Sequence, residues 1–408
     1  MITRFHILGF KSLRDAELEL GAFNVFIGAN GSGKSNLLEA FGVMGAAVSG
    51  SVEPETLSYR GVRPGLPSLY KTSSKHYPLR RNITLEAMSG SSLYRVGLDN
   101  PIDSPSPNWR FLSETLQDGK NKVLSRSPRA FRIWSQDIRK TLADDATISA
   151  TESVAKLAVA LREDVGDLKR LVYDLRNYAI FSPNTPVLRG IVPDHVERQP
   201  LGLAGGGLAE VVRDLVDEEE DCFGVFDMDE VLAMIDWAER FSTVRRSSGL
   251  LSPAVKTSSR VIRFVDRHMR VGRRFLSGYD ASEGALYILF MLALASHEQA
   301  PRLLAVDNFD QALHPKVAAR LTALISRHVA ESAERQMLLT THNPLVLDGL
   351  DLRDDRIRLF AVDRDRQGLT TIARIVISEQ LKEEAVRDKL PLSRLWVMGR
   401  LGAVPRNI

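Results

Sequence analysis

FNVFIGANGSGKSNLLEAFGVMGAAV, residues 23–48, decides the fold. Its first five residues are a short apolar run of the kind that makes a buried strand. The next eight, GANGSGKS from Gly28 to Ser35, fit G-x-x-x-x-G-K-[ST] at every fixed position. The remainder carries apolar residues at helical spacing. Strand, glycine-rich turn and helix, in that order, are the context that makes this pattern a phosphate-binding loop. The chemistry requires these residue types. Glycines let backbone N–H groups turn inward around phosphate oxygens, and the helix N-terminus adds unpaired donors and its dipole. Lys34 can reach the β- and γ-phosphates, and Ser35 can ligate Mg²⁺. The expected nucleotide contacts are Asn30, Gly31, Ser32, Gly33, Lys34, Ser35 and Asn36.

A site of this kind needs a carboxylate at the end of a neighbouring strand. RLLAVDNFD places Asp307 directly after the apolar run Leu303–Val306, which makes Ser35 and Asp307 the expected metal ligands. A second apolar strand, QMLLTTHNP, ends in Thr341-His342. Taken alone, each segment also reads as an ordinary strand ending in a turn. Together with the phosphate loop they put three functional groups at three strand ends.

Around this frame the chain reads as α/β. MITRFHILGF and the alternating AELEL precede the loop as strands, and NITLEAM and SLYRVGL follow it. From Asn100 to Met269 the character changes: PRAFRIWSQDIRKTL, SVAKLAVALRED, GDLKRLVYDLRNY, LAEVVRDLV and DEVLAMIDWAERF read as helices. The last third returns to α/β order, with the helices GALYILFMLALASH and PKVAARLTALISRHVAES and the further strand RIRLFAVDRD. This predicts an N-terminal lobe over 1–98, a mainly helical insertion over 99–260 and a C-terminal lobe over 261–408. The 408 residues exceed the ~250–300 at which single cores stop growing.

Composition sets bounds. A 44% hydrophobic and 26% charged chain is ordinary for a globular protein and excludes wholesale disorder. Cys222, the one cysteine, excludes intrachain disulfides and multi-cysteine zinc sites and fits a cytoplasmic setting. The longest apolar run, Ala285–Ala295, is about half of the ~20 residues a membrane span needs. There is no signal-peptide pattern at the N-terminus. The net charge of +3 names no partner, but charge is segregated. Leu57–Leu85 holds Arg60, Arg63, Lys71, Lys75, Arg80 and Arg81 with no acid, Arg240–Arg274 is basic but for Asp266, and Asp214–Glu230 is acidic throughout. The basic stretches read either as solvated faces or as a track for a nucleic-acid backbone.

These segments resemble the ABC-type ATPase heads of the SMC, RecF and OLD group, and in particular the compact AAA-type ATPases of bacterial defence operons. ILGFKSL looks like that group's opening strand and turn, GANGSGKSN its Walker A, LLAVDNFDQALHP its Walker B and D-loop, and TTHNPLVLD its switch-histidine segment. VDRDRQGLTTIARI and LWVMGRLGAVP are similar as well. The resemblance covers residues 1–98 and 261–408. It implies an ABC-type P-loop ATPase head, a mixed sheet flanked by helices, that uses ATP and Mg²⁺. Asp307, Asn308, Asp310 and His342 are then the expected catalytic residues. Relatives carry Glu where Asn308 stands, so turnover is expected to be slow. Asp310 is the nearby substitute, sharing the face of Asn308 if the strand continues.

The resemblance also implies head-to-tail homodimers joined by ATP, with a serine-glycine signature capping the opposite subunit's γ-phosphate. ASEGALYILFMLALA matches with Ser282, Glu283 and Gly284, and Leu276–Gly278 is a rival. No glutamine stands where the family's Q-loop would be. The stretch after His342 is too short for the TOPRIM nuclease domain of OLD proteins, so any effector, such as a nuclease, is expected on a separate chain. The leading expectation is an ATP-gated sensor of double-stranded DNA in anti-phage defence, without a membrane partner. The alternatives are a RecF-like repair ATPase, a transporter subunit, and a regulatory module with negligible turnover.

Overall fold

The computed structural model describes residues 1–127, 130–133, 149–155, 166–217, 219–246, 249–252, 254–255, 257–332, 334–377 and 390–401. In chain order the first part gives β1 (Arg4–Phe10), β2 (Leu13–Glu19), β3 (Phe23–Ile27), α1 (Lys34–Ser49), β4 (Asn82–Ser89), β5 (Ser92–Asp99), β6 (Arg110–Asp118), β7 (Asn121–Ser127) and β8 (Ala130–Ile133). The middle gives α2 (Gly166–Asn177), β9 (Ala179–Phe181), α3 (Leu208–Leu215), β10 (Val216–Asp217), β11 (Cys222–Phe223), β12 (Phe226–Asp227), β13 (Ala238–Arg245), β14 (Arg260–Asp266) and β15 (Phe275–Ser277). The last part gives α4 (Glu283–Ser296), β16 (Leu303–Val306), α5 (Pro315–Ser332), β17 (Gln336–Thr341), β18 (Ile357–Arg364) and β19 (Thr370–Ile375).

Two large sheets organise these elements. One has six strands in the order β19-β18-β3-β17-β16-β9. Strands β18, β3, β17, β16 and β9 run parallel, and β19 closes one edge as an antiparallel hairpin partner of β18. Strands β3, β16 and β17 are buried at every position. A parallel sheet is covered on both faces, so these strands are mostly apolar, and the polar Asn24 and Gln336 within them are buried with hydrogen-bond partners. Successive side chains of β3 go to opposite cores. Phe23, Val25 and Ile27 join α4 and α5, while Phe26 joins α1 and the second sheet. That second sheet is antiparallel, in the order β2-β1-β4-β5-β6-β7-β8. On β2 the alternation of the sequence appears directly, with Ala16 and Leu18 buried and Glu17 and Glu19 exposed.

The stretch 99–260 departs from the expected, mainly helical insertion. Strands β6, β7 and β8 extend the antiparallel sheet past the boundary drawn at 98, and β9 is a strand of the parallel sheet. Strand β14 crosses the boundary at 260 and pairs with β13. GDLKRLVYDLRNY and LAEVVRDLV do form α2 and α3. In DEVLAMIDWAERF only the start is helical, and AERF opens β13. Of PRAFRIWSQDIRKTL, residues 130–133 are the strand β8; the rest of it and most of SVAKLAVALRED lie outside the described residues. Polar and apolar residues mix along β6 and β7 without a strand period that the sequence shows. Glu114, for example, is buried yet accepts hydrogen bonds from the Tyr94 hydroxyl (3.0 Å) and the Val154 N–H (3.2 Å), which offset its desolvation.

Candidate nucleotide site

Parallel pairing puts the C-terminal ends of β3, β17 and β16 side by side, with Thr341 opposite Ile27 and Val306 opposite Leu339. The loop after β3, the turn after β16 and the turn after β17 therefore share one edge of the sheet, where open α/β sheets bind ligands. Gly31 (φ 76°) and Gly33 (φ 111°) take left-handed backbone conformations that wrap the loop. Gly33 offers α1 no side-chain cap, so the N–H groups of its first turn are left to the loop.

Lys34 and Ser35 lie at this edge beside Asp307. The Lys34 Nζ donates to the carbonyls of Gly28 (2.8 Å) and Ala29 (2.9 Å), lying back along the loop. Burial pushes its amine below the ordinary lysine range, and the charges of Asp307 and Asp310 oppose that shift. The Ser35 hydroxyl donates to Asp307 Oδ2 at 2.8 Å. The two expected metal ligands, 272 residues apart in sequence, are thus in direct contact. The Thr340 hydroxyl, next but one before His342, donates to Asp307 Oδ1 at 2.5 Å and accepts from the Asn308 N–H at 2.8 Å. Thr340 therefore fixes the carboxylate's rotation, a role that sequence reading missed. Arg63, held by Glu39 at 2.6 Å, adds a second cation facing Asp307.

Two hard oxygen ligands at contact distance suit a small divalent cation such as Mg²⁺. The Ser32 hydroxyl supports the fit to a phosphate ligand, being buried in the loop without a hydrogen-bond partner. Asn30 is exposed at the loop's tip, and Asn36 is tied to the Ser12 hydroxyl at 2.8 Å.

One sequence expectation fails in its geometry. Strand β16 ends at Val306, and the chain turns at once, so Asn308 and Asp310 do not share a strand face. Asn308 has φ 53°, a left-handed conformation that Asn tolerates better than most residues. Asp310 is instead folded in, 4% exposed, with Oδ1 lacking a hydrogen-bond partner. Burial pushes its carboxyl above the ordinary aspartate range, opposed by Thr341, His342 and Asn343. Asp310 thus still sits among the site residues, near Lys34 and the His342 turn. His342 itself is exposed at the end of β17.

At the same edge β9 pairs with β16, and the Asp307 N–H donates to the Phe181 carbonyl at 3.0 Å. The segment after β9, Ser182-Pro183-Asn184-Thr185, is the remaining strand end beside Asp307. It runs to the start of α4: the Tyr287 hydroxyl donates to the Pro183 carbonyl at 2.7 Å, and the Thr185 hydroxyl donates to Glu283. Ser282 caps α4, accepting from the Ala285 N–H (3.4 Å) and the Trp237 indole (3.3 Å). Ser282 and Glu283 are exposed, and Gly284 approaches the Ala312 carbonyl so closely that a Cβ would lie 3.3 Å from it. The rival Ser277 is buried in β15 and bonded to Asp280 at 2.7 Å, which removes it as an exposed anion-binding cap.

The basic stretches are partly spent on structure. Arg60 is buried and donates to the carbonyls of Thr56 and Arg176, and Lys71 is buried against Asp99. Arg260 pairs with Glu210 and Arg274 with Glu239. Arg245, Arg270 and Arg273 are exposed, the last two on the β14–β15 turn beside exposed Met269, Val271 and Phe275.

A glycine-rich loop after β3, Asp307 at the end of a strand two positions away and a capped helix beside it are the layout of an ABC-type P-loop ATPase fold. Residues 23–348 match the family model described as "AAA domain, putative AbiEii toxin, Type IV TA system", and the chain belongs to that family. It is therefore an ATPase of the AAA type. No curated protein matches the chain. Among solved structures it is similar to the SMC head domain from Thermotoga maritima, at 15% identity and TM-score 0.46 over 92% of this chain and 99% of that one. It is also similar to an SMC head bound to the C-winged helix domain of ScpA, at 15% identity and TM-score 0.49 over 93% and 99%. A third is the Smc head with an extended coiled coil bound to the C-terminal domain of ScpA derived from Pyrococcus furiosus, at 14% identity and TM-score 0.47 over 95% and 99%. No helix among the described residues is long and apolar enough to cross a membrane.

Proposed function

We propose that the chain is a slow ATPase whose ATP-bound form joins two copies head to tail and, in that form, engages double-stranded DNA and a separately encoded effector. The observation that carries the ATPase part is the 2.8 Å contact of Ser35 with Asp307 beside a correctly wound loop. Lys34 and the loop N–H groups bind the phosphate charge. Ser35 and Asp307 would hold Mg²⁺, with the rotation of the Asp307 carboxylate fixed by Thr340. That cation would supply charge neutralisation for the transferring phosphoryl group. Asn308 orients the attacking water through its side-chain amide. Asp310, whose burial raises its proton affinity, accepts the water's proton. His342, exposed at its strand end, hydrogen-bonds the transferred phosphoryl group.

The exposed cap of α4 supports the dimer part. Its Ser282 hydroxyl and unpaired N–H groups form an anion-binding surface suited to the γ-phosphate held by a second copy. Exposed Arg245, Arg270 and Arg273 support the DNA part. An anti-phage role in the cytoplasm belongs to this reading through the family's toxin–antitoxin description.

Ser282→Arg tests the dimer. Losing the cap costs about 1 kcal/mol, whereas each large apolar side chain buried along Ala285–Ala295 contributes about 1.5–3 kcal/mol. The helix therefore survives, ATP binding by the monomer persists, and ATP-dependent association in light scattering is lost. A variant that still dimerises on ATP refutes this interface.

A further inference from the structure

For the N–H groups of a phosphate loop to face inward, its carbonyls must face outward, and each then needs a donor of its own. Lys34 supplies Gly28 and Ala29. Two further bonds come from the far end of the chain. The Thr370 hydroxyl, at the start of β19, donates to the Ser32 carbonyl at 2.7 Å, and the Arg364 Nε, at the end of β18, donates to the Gly31 carbonyl at 2.8 Å. Neither residue belongs to the phosphate-loop motif.

Both donors are themselves held. The Thr370 hydroxyl lies 2.7 Å from the Ser12 hydroxyl, and the Thr370 N–H donates to the Ser12 carbonyl at 2.8 Å. Ser12 in turn accepts from Asn36 on α1. Arg364 also donates to the Gly368 carbonyl at 3.2 Å, which closes the β18–β19 turn on itself. The fit is tight. A Cβ on Gly33 would lie 2.1 Å from the Thr370 hydroxyl, so that glycine is required by the approach of Thr370 as well as by its own φ.

We propose that the β18–β19 hairpin is a clamp that presets the phosphate loop, with Thr370 and Arg364 as positioning residues for nucleotide binding. Without these two donors the loop carbonyls of Gly31 and Ser32 are free to rotate toward water, carrying the following N–H groups out of register with the phosphates. The clamp rests on the phosphate-loop reading of the site.

The test titrates a fluorescent ATP analogue with Mg²⁺ into the full chain and its Thr370→Val, Thr370→Ser and Arg364→Ala variants. A single hydrogen bond of this kind translates into affinity about five- to tenfold weaker for Thr370→Val and for Arg364→Ala. Thr370→Ser keeps the hydroxyl and restores binding. In steady-state assays the loss falls on KM for ATP rather than on kcat, which a general loosening of the fold does not produce. Arg364 is exposed, so Arg364→Ala decides the matter if Thr370→Val does not fold. Wild-type binding with both variants equally tight overturns the clamp alone. A wild-type chain that binds no nucleotide overturns the phosphate-loop reading, and the clamp with it.

Discussion

Replacing Asn308 by Glu sets a chemical gain against a backbone cost, and the structure gives the size of each. The amide of Asn308 can orient a water but cannot take its proton, and proton acceptance is typically worth about 10²–10⁴-fold in rate. The backbone cost arises because Asn308 stands at φ 53°. A left-handed conformation costs about 1–2 kcal/mol for ordinary residues, and Asn is among the few that reduce it. Its N–H bond to the Thr340 hydroxyl, at 2.8 Å, uses only the main chain of residue 308 and survives the substitution. Asn308→Glu is therefore expected to fold, to melt about 1–2 °C lower and to bind ATP normally. Because Asp310 already takes the water's proton in the proposed mechanism, the variant's steady-state phosphate release should rise by at most about 10²-fold, the lower end of the general-base range. The assay is a coupled phosphate-release measurement at saturating ATP and Mg²⁺, beside a thermal melt. A folded, ATP-binding Asn308→Glu with wild-type or slower turnover would show that residue 308 does not face the attacking water. Fast wild-type hydrolysis that survives both Asp310→Ala and Asn308→Ala would remove both residues from the reaction.

Lys34→Ala removes the main cation of the loop and should weaken nucleotide binding by at least about tenfold in a fluorescence titration; unchanged affinity removes the loop assignment. Asp310→Asn should lower turnover yet raise stability. Burial holds the Asp310 carboxyl above the ordinary aspartate range, so the folded chain keeps its proton longer than the unfolded chain does. Stability is then lost as pH rises from the ordinary range through the raised value, and the variant's melting advantage should grow over that window and level off above it. No difference near pH 7.5 refutes the desolvated carboxyl. Replacing Arg245, Arg270 and Arg273 together with Glu should weaken duplex binding and shallow its log–log salt slope by about 0.9 for each phosphate that is no longer neutralised; an unchanged slope assigns these residues to a solvated face.

What the sequence made legible is what is local. Gly28–Ser35 is one continuous motif between a strand and a helix, and Asp307 and His342 each follow an apolar strand long enough to show itself. The groups that aim those residues are not local. Thr340 reaches Asp307 only because β17 lies beside β16, and Thr370 reaches Ser32 across 338 residues. Nothing in LTTIARI marks its second residue as a donor to a phosphate loop. Strand β9 was invisible for a different reason: three residues after a helix carry no periodicity, although they form the strand next to Asp307. Asp310 does not share the face of Asn308, because β16 ends at Val306. A left-handed Asn308 ends the strand's geometry within two residues of Val306, and no pattern of apolar residues reports a sign of φ. Motif residues thus name the ligand, and residues delivered by topology set how well it is held. The clamp variants and Asn308→Glu separate these two contributions, because the first act on affinity through the backbone of the loop and the second acts on the rate through one side chain.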